Sequence, residues 1–164
     1  MSRSVALRRA TLADAELLFR WANDPSTRAV SFDARPIAWA THVEWLGRRL
    51  ADPSTLLLVG EDEGARPVGQ VRFDRSDTDA AVISVSVDGS RRGGGIGRRL
   101  IAAASSYVQA EWALDRVIAF IKPGNHASIA AFVAAGYAPA GAPRTDAGRL
   151  TYEYRFRSER GNPS

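Results

Sequence analysis

Apolar residues follow two different spacings along the first third of the chain. Residues 5–8 alternate between larger apolar and other side chains, which predicts a short first strand. Thr11 then predicts the start of a helix, because its hydroxyl can cap free amides while Asp14 acts as a capping-box acid. Apolar residues at helical spacing follow, and Asp24-Pro25 is read as a helix-terminating turn. The apolar set of this helix is Leu12, Ala15, Leu18, Phe19 and Ala22.

A second helical region is predicted from Pro36 to about Leu50, ended by Asp52-Pro53. Its apolar residues recur at intervals of three and four: Trp39, Val43, Leu46 and Leu50. The pattern then changes to strand-like runs separated by turn residues, which indicates an antiparallel meander. The three runs are Thr55–Gly60, Pro67–Phe73 and Ala80–Asp88.

The second half alternates helices and strands. A helix is predicted from Gly95 to about Trp112, followed by a nearly continuous apolar strand that is typical of a buried parallel partner. Asn125 can cap another helix that runs to about Ala135, with Gly136 as its left-handed last residue. The three strands of this half are Arg116–Ile121, Tyr137–Ala140 and Leu150–Arg157.

This order of elements predicts one α+β domain over residues 1–157. Its sheet is expected to be mixed but mostly antiparallel, with about seven strands, four flanking helices and one strand–helix–strand unit. The polar segment Ser158–Ser164 is expected to be a disordered tail.

Composition narrows the function classes. The 164 residues suit one domain, and the absence of cysteine excludes disulfides and thiolate metal sites. No apolar run reaches the ~20 residues of a membrane span, and residues 1–10 contain no apolar signal region, so we expect a cytoplasmic protein. The net charge of +4 is spread among 18 acidic residues, and Lys122 is the only lysine. A phosphorylated small ligand explains this charge as well as nucleic acid does, and we expect no nucleic-acid partner.

The most informative segment is the glycine cluster between a predicted strand and a predicted helix, Arg92–Gly97. The first amides of a helix lack internal partners and lie at the positive end of its dipole, so they form an anion site. Glycines let phosphate oxygens approach the backbone without a Cβ in the way. A P-loop would need Gly-Lys-Ser/Thr here, and a dinucleotide fingerprint would need glycine where Arg98 stands. A tight turn without a ligand is the alternative.

Here the sequence resembles the GNAT (GCN5-related N-acetyltransferase) superfamily. Arg92–Gly97 matches the Arg/Gln-x-x-Gly-x-Gly/Ala motif of that family, and the preceding Val85–Asp88 resembles its fourth strand. Downstream, Asn125–Ser128, Phe132 and Gly136-Tyr137 resemble its Asn-x-x-Ser/Ala…Gly-Phe/Tyr segment in order and spacing. The resemblance covers roughly residues 5–157 and implies an acetyl-CoA-dependent enzyme without a metal.

The resemblance also implies how acetyl-CoA is held. Amides from Gly93 to Arg98 would bind the pyrophosphate, the backbone of Val85 and Val87 would accompany the pantetheine arm, and Asn125 would hydrogen-bond it. The implied cofactor-binding residues are Val85, Val87, Arg92, Gly93, Gly94, Gly95, Ile96, Gly97, Arg98, Asn125 and Ser128. Candidates for charge contacts with phosphates are Arg91, Arg92, Arg98 and Lys122, and a solvated surface charge is the alternative for each.

The N-terminal helices carry a Trp-rich pattern. It resembles GNAT proteins that acetylate nucleotide-linked amino sugars, of the pseudaminic-acid-pathway type, and shares features with RimJ/RimL-type transferases. Aromatic faces can stack on sugar or base rings, and an arginine can pair with a nucleotide phosphate. The candidate acceptor contacts are Trp21, Asn23, Arg28, Phe32 and His42. The alternatives are core packing for Trp21 and Trp45 and a helix-surface position for His42.

The leading interpretation is direct transfer of acetyl to a primary amine of a nucleotide-linked, for example UDP-linked, amino sugar. Protein N-terminal acetylation and a non-catalytic acyl-CoA-binding module are the alternatives; a homodimer through an edge strand stays open. Many relatives supply a proton from a Tyr where this chain has Phe132, which cannot donate. We therefore expect catalysis by positioning, with water held by Ser84 or Ser86 and the Val87 amide donating to the thioester oxygen. Outside candidates for proton transfer are Tyr152, Tyr154 and His42.

Overall fold

A seven-stranded sheet runs through the protein in the order β1-β2-β3-β4-β5-β7-β6. The computed structural model describes residues 4–140 and 148–156. Of the strand pairs within these residues, only β4–β5 is parallel, and α4 connects the two strands, which confirms the predicted α+β class and its strand–helix–strand unit. The strands are β1 (Ala6–Arg9), β2 (Thr55–Glu61), β3 (Pro67–Arg75), β4 (Ala80–Val87), β5 (Arg116–Ile121), β6 (Ala138–Pro139) and β7 (Leu150–Arg155).

The helices flank this sheet. They are α1 (Ala15–Ala22), α2 (Pro25–Val30), α3 (Trp39–Ala51), α4 (Ile96–Trp112) and α5 (His126–Ala134). Within the described ranges, none of them has the length and apolar character that crossing a bilayer requires. The tail predicted at 158–164 lies outside the described residues.

The predicted capping box at Thr11 is present. The Thr11 amide donates to Asp14 Oδ2 at 2.8 Å, and the Thr11 hydroxyl accepts from the Ala13 amide at 3.3 Å. It caps a 3₁₀ turn, Leu12–Asp14, from which α1 continues. Arg8 donates two hydrogen bonds to Asp14, and this guanidinium holds the pKa of the Asp14 carboxyl below its ordinary value.

The interpretation of Asp24-Pro25 as a terminating turn is incomplete. Asp24 also caps a further short helix, α2, since its Oδ1 accepts from the amides of Ser26 and Thr27. Pro25 occupies the first helical position, where its missing N–H costs nothing and its fixed φ suits a helix. The same dipeptide therefore ends one helix and begins the next.

The second predicted helical region begins later than expected, at Trp39 rather than Pro36. The reason is a tertiary contact. The Asn23 side chain accepts from the Ile37 amide at 2.7 Å and donates to the Ile37 carbonyl at 2.9 Å. Ile37 is thereby tied to the end of α1, and Ala38 becomes the residue from which α3 starts.

The sheet buries a different cluster on each face. The α4/α5 face contacts the larger cluster, which includes Leu58, Phe73, Leu100, Val117 and Phe132. The α1/α3 face contacts a smaller one, formed by Ala10, Leu18, Trp21, Leu46, Leu57 and Val59. Alternate residues of β2 enter opposite clusters, as the two-residue period of a strand requires. The smaller cluster ends near β2, so the sheet face over β3, β4 and β5 is left for a cavity.

Candidate active site

The parallel strands β4 and β5 separate halfway along their length. Their pairing runs from Ala80–Arg116 to Ile83–Ala119, whereas β4 continues to Val87. The Asp88 amide donates to the Val68 carbonyl of β3 at 2.8 Å. Backbone groups alternate sides along a strand, so those of Val85 and Val87 point away from β3, into the gap beside β5. This gap presents backbone donors and acceptors where a sheet would normally continue.

The glycine turn leads from this gap into α4. Gly95 precedes the helix with a φ of 76°, a left-handed conformation that disfavours other residues. Among the described residues, no side chain caps the amides of α4, in contrast to Asp24 at α2 and Asn125 at α5, while α1 and α3 also lack such a cap. A Cβ at Gly94 would meet no atom within 4 Å, so internal packing does not explain this glycine. An uncapped helix start with an open approach fits a diphosphate.

Two of the three arginines discussed for the turn form polar contacts with other parts of the protein. Arg92 contacts the start of α2 through Ser26 and through Thr27 Oγ1 at 3.1 Å, and it lies 3.6 Å from Asp24 Oδ1. Arg91 pairs with Asp62 at 2.8 Å, which lowers the pKa of the Asp62 carboxyl. Arg98 is exposed. Arg92 thus connects the turn to the N-terminal helices.

A cavity of about 540 Å³ lies where the sheet face is left uncovered. It brings together residues that are distant in sequence. Among the predicted site residues, those that line it are Arg28, Phe32, His42, Ser84, Val85, Ser86, Lys122, Asn125 and Ser128. Residues 92–98 and Val87 are not part of its lining. Asn125 Oδ1 accepts from the Ser128 amide at 3.2 Å, which fixes the amide side chain at the cavity edge.

Trp21 and Asn23 do not line this cavity. Trp21 is 4% exposed within the smaller core cluster, and its Nε1 donates to Asp88 Oδ2 at 2.8 Å. Asn23 is occupied by both backbone groups of Ile37. Both side chains join the N-terminal helices to other elements, which is the packing alternative stated for Trp21. Their role as acceptor contacts stays a prediction from the sequence.

His42 is buried, so the alternative of a helix-surface position is wrong, and its predicted contact with the acceptor stays a prediction. Its side chain is 3% exposed and lies among the rings of Phe19, Trp39 and Trp45. His42 Nε2 lies 3.1 Å from the Ala15 carbonyl oxygen, and burial lowers the pKa of the imidazole. His42 precedes the fully buried Leu46 by four residues, which places both on the same face of a helix and indicates burial.

The charged side chains that line the cavity are all cationic. They are Arg28, Arg48, Arg72 and Lys122, and no carboxylate of a described residue joins them. Arg28 donates to the Asp33 carbonyl at 3.0 Å, while its buried Nε has no partner in the described part of the chain. Lys122 lies 5.8 Å from the ring of Phe32. A cavity of this charge favours an anionic molecule.

Arg72 was missed by the sequence interpretation. Its Nε donates to Asp74 at 2.8 Å, and its guanidinium lies 5.4 Å from the ring of Trp45. Its Nη2 donates to Ser84 Oγ at 3.4 Å, so it contacts a serine predicted to hold water. The alternation of β3 places Arg72 on the cavity side, but only the strand register identifies Ser84 as its neighbour.

The candidates for a donating tyrosine lie on the other face of the sheet. Tyr152 and Tyr154 pack against the larger core cluster and do not line the cavity. Phe132 is buried, lines the cavity and packs edge-to-face with Tyr137. Tyr137 exchanges a 2.8 Å hydrogen bond with Ser105, and burial raises the pKa of this phenol. These tyrosine rings pack in the core, and Phe132 cannot donate, which leaves the source of the proton open.

Comparison with protein families gives a match over most of the chain. Residues 4–138 match the model described as the acetyltransferase (GNAT) domain. No curated protein sequence matches this chain.

Solved structures with the same fold include several acetyltransferases. A spermidine N-acetyltransferase from Vibrio cholerae, in complex with CoA and spermine, superposes with a TM-score of 0.82 at 15% identity and covers 93% of this chain and 95% of its own. AAC(6')-Ib in complex with ribostamycin and coenzyme A gives 0.80 at 22%, covering 98% and 99%. A ribosomal-protein-alanine N-acetyltransferase from Brucella melitensis gives 0.76 at 27%, covering 92% and 99%.

Proposed function

We propose a specific reaction for this chain, which belongs to the acetyltransferase (GNAT) domain family that its residues 4–138 match. The protein is an acetyl-CoA-dependent N-acetyltransferase. Its proposed acceptor is the primary amine of a nucleotide-linked amino sugar. The observation that carries this acceptor class is the cationic cavity, which no described carboxylate lines.

The charge of the cavity separates this acceptor from those named for the structural neighbours. Spermine and ribostamycin each carry several amines, whose positive charges would approach Arg28 and Lys122. The other two cations of the lining, Arg48 and Arg72, are paired with Glu44 and Asp74. A nucleotide-linked sugar carries a diphosphate, for which arginine is a bidentate donor. Arg28 and Lys122 are the proposed contacts, with the exposed ring of Phe32 beside Lys122 as a stacking surface. The polyamine class is therefore disfavoured by like-charge repulsion.

Acetyl-CoA is proposed to bind at the end of the site nearer the glycine turn. When bound, it supplies the acetyl group as an activated thioester. The uncapped amides of Ile96, Gly97 and Arg98 are proposed to hold its pyrophosphate, and the backbone of Val85 and Val87 to hold its arm. Asn125 and Ser128 are proposed to contact the arm from the start of α5.

Positioning is one proposed source of rate enhancement. The acceptor amine must be neutral to attack the thioester carbonyl, and the two partners must meet at the β4–β5 gap. Ser84 and Ser86 face the cavity from β4 and are proposed to hold a water beside the amine. The Val87 amide is proposed to donate to the thioester oxygen as negative charge develops on it.

A second candidate is acetylation of protein N-termini. The likeness to the Brucella melitensis ribosomal-protein-alanine N-acetyltransferase, at 27% identity over 92% of this chain, favours it. An N-terminal amine is also a weaker base than lysine, so the chemistry does not separate the two acceptors. The two acceptors differ instead in negative charge, which the nucleotide diphosphate carries.

The test is a comparison of kcat/KM among three acceptors: a UDP-linked 4-amino sugar, an Ala-starting peptide and spermidine. We expect the nucleotide-linked sugar to be the fastest and spermidine the slowest. Faster turnover of the peptide would establish the second candidate. Binding of acetyl-CoA without transfer to any amine of the panel would instead identify a non-catalytic acyl-CoA-binding module.

A further inference from the structure

We propose that His42 Nδ1 is the base that receives the proton of the attacking amine, directly or through one water. This inference rests on the acetyl transfer proposed above but not on the identity of the acceptor. The amine nitrogen forms a bond to the thioester carbonyl carbon, and the C–S bond breaks with its electron pair going to sulfur. The proton lost by nitrogen passes to Nδ1 and from there to solvent or to the departing sulfur.

The tautomer of His42 is fixed by its contact with α1. A carbonyl oxygen can only accept, so the 3.1 Å contact between Nε2 and the Ala15 oxygen requires the hydrogen to be on Nε2. The neutral ring then carries its lone pair on Nδ1. Among the described residues, Nδ1 has no hydrogen-bond partner. The protein therefore holds a basic nitrogen in a set orientation without using it for structure.

His42 is also the only titratable group of suitable pKa in the described lining of the cavity. The other ionisable lining side chains are Arg28, Arg48, Arg72 and Lys122, which are cations and have no lone pair to accept a proton. Phe132 has no proton to exchange, and the two nearby serines, Ser84 and Ser86, are too weakly basic. If any of these side chains accepts the proton, the choice falls on the imidazole.

The surroundings keep this imidazole neutral. From α1 and α3 it contacts Phe19, Trp39 and Trp45, none of which carries a charge. The sheet contributes Arg72 to the cavity lining, with its guanidinium paired to Asp74, and no carboxylate is among the described lining residues. Burial acts in the same direction on the His42 pKa. A neutral imidazole at pH 7 is the form that can accept a proton.

The kinetic test uses His42→Gln, because a glutamine amide can still donate to the Ala15 carbonyl but has no basic nitrogen. We expect kcat to fall by about 10²–10⁴-fold while the Kd for acetyl-CoA is unchanged. Wild-type kcat should rise with pH along a limb below about pH 6.5, since only the neutral imidazole is active. This limb should vanish in the variant. A kcat within a few-fold of wild type, or an unchanged limb, would overturn the proposal.

A spectroscopic test does not depend on turnover or on the folding of a variant. The chain has two histidines, so the ¹⁵N-labelled imidazoles of wild type and His126→Asn assign both rings. We expect His42 to be neutral at pH 7 with its hydrogen on Nε2, and to titrate below the ordinary value. A hydrogen on Nδ1, or an imidazolium at pH 7, would contradict the proposal. Absence of any acetyl transfer in wild type would refute the proposed function and, with it, this role.

Discussion

The two faces of the sheet meet their surroundings in opposite ways. The α4/α5 face is filled by fully buried side chains such as Leu100 and Phe73, with Ser105 and Tyr137 as a satisfied polar pair. The α1/α3 face is packed with apolar side chains only near β2, and over β4 it opens into a cationic cavity. β4 contributes to the site in two ways. Its backbone forms one edge of the gap, and its serines face the cavity.

This difference separates two kinds of recognition. At the glycine turn, the groups available to an anion are backbone amides, which every residue has, so the conformation of the chain decides binding. In the cavity, charged side chains decide it. Substitutions that alter backbone geometry should therefore affect the cofactor, and substitutions that remove charge should affect the acceptor.

The largest expected effect comes from Gly95→Val. A β-branched residue is strained at a φ of 76°, so the amides at the start of α4 would be misplaced. Wild type should gain about 2.7 kcal/mol of stability at acetyl-CoA concentrations 100 times Kd, and the variant none. Calorimetric titration and thermal unfolding measure both.

The matched control is Gly47→Ala in α3, where a Cβ meets no atom within 4 Å. It should bind acetyl-CoA as wild type does and be slightly more stable, because alanine is the better helix former. Normal acetyl-CoA binding by folded Gly95→Val would remove the glycine turn from the cofactor site. Failure of wild type to bind at millimolar ligand would disprove the assignment altogether.

A smaller effect is expected from Arg28→Ala on the acceptor side. Loss of a charged hydrogen bond of about 1.5–3 kcal/mol should raise KM for the nucleotide-linked acceptor roughly 10- to 150-fold. KM for acetyl-CoA should stay constant, which steady-state kinetics with each substrate varied in turn will show. Arg35→Ala is the control, since Arg35 is exposed and pairs with Asp33. Equal effects of both variants would mean that general surface charge, not a specific contact, attracts the acceptor.

The smallest effect on turnover is expected from Trp21→Phe. This change removes the indole donor to Asp88, which keeps its hydrogen bonds from Ser90. Unfolding measurements should show a loss of roughly 1–3 kcal/mol from the hydrogen bond and the reduced packing. Both KM values should stay near those of wild type. A large rise in the acceptor KM with unchanged stability would instead support the predicted role of Trp21 as an acceptor contact.

Features encoded by neighbouring residues could be predicted from the sequence. The turn before α4 follows from glycine conformations, and β5 follows from its apolar run, so both were located to within a residue. The short helix α2 was missed because Asp24-Pro25 suits the end of one helix and the start of another equally well.

Features set by contacts between distant segments could not be predicted. The spacing of His42 from Leu46 indicates that it is buried, but its contacts with Ala15 and Phe19 of α1 depend on the fold. Its neighbour Val43, chosen for the apolar face, is 36% exposed. The contact of Arg72 with Ser84 depends on strand register, which no local pattern specifies. Site chemistry that arises from such contacts can be derived only from the three-dimensional structure.

The gap between β4 and β5 has a consequence for the life of the protein in a cell. Because β4 and β5 stop pairing at Ile83 and Ala119, backbone groups farther along β4 have no partner in β5. A molecule bound in the gap would supply these hydrogen bonds. Folding and cosubstrate binding then draw on the same backbone groups, so the folded population rises with the supply of the cosubstrate. With acetyl-CoA at the proposed place, chains without it are expected to unfold more often and to be more open to proteases.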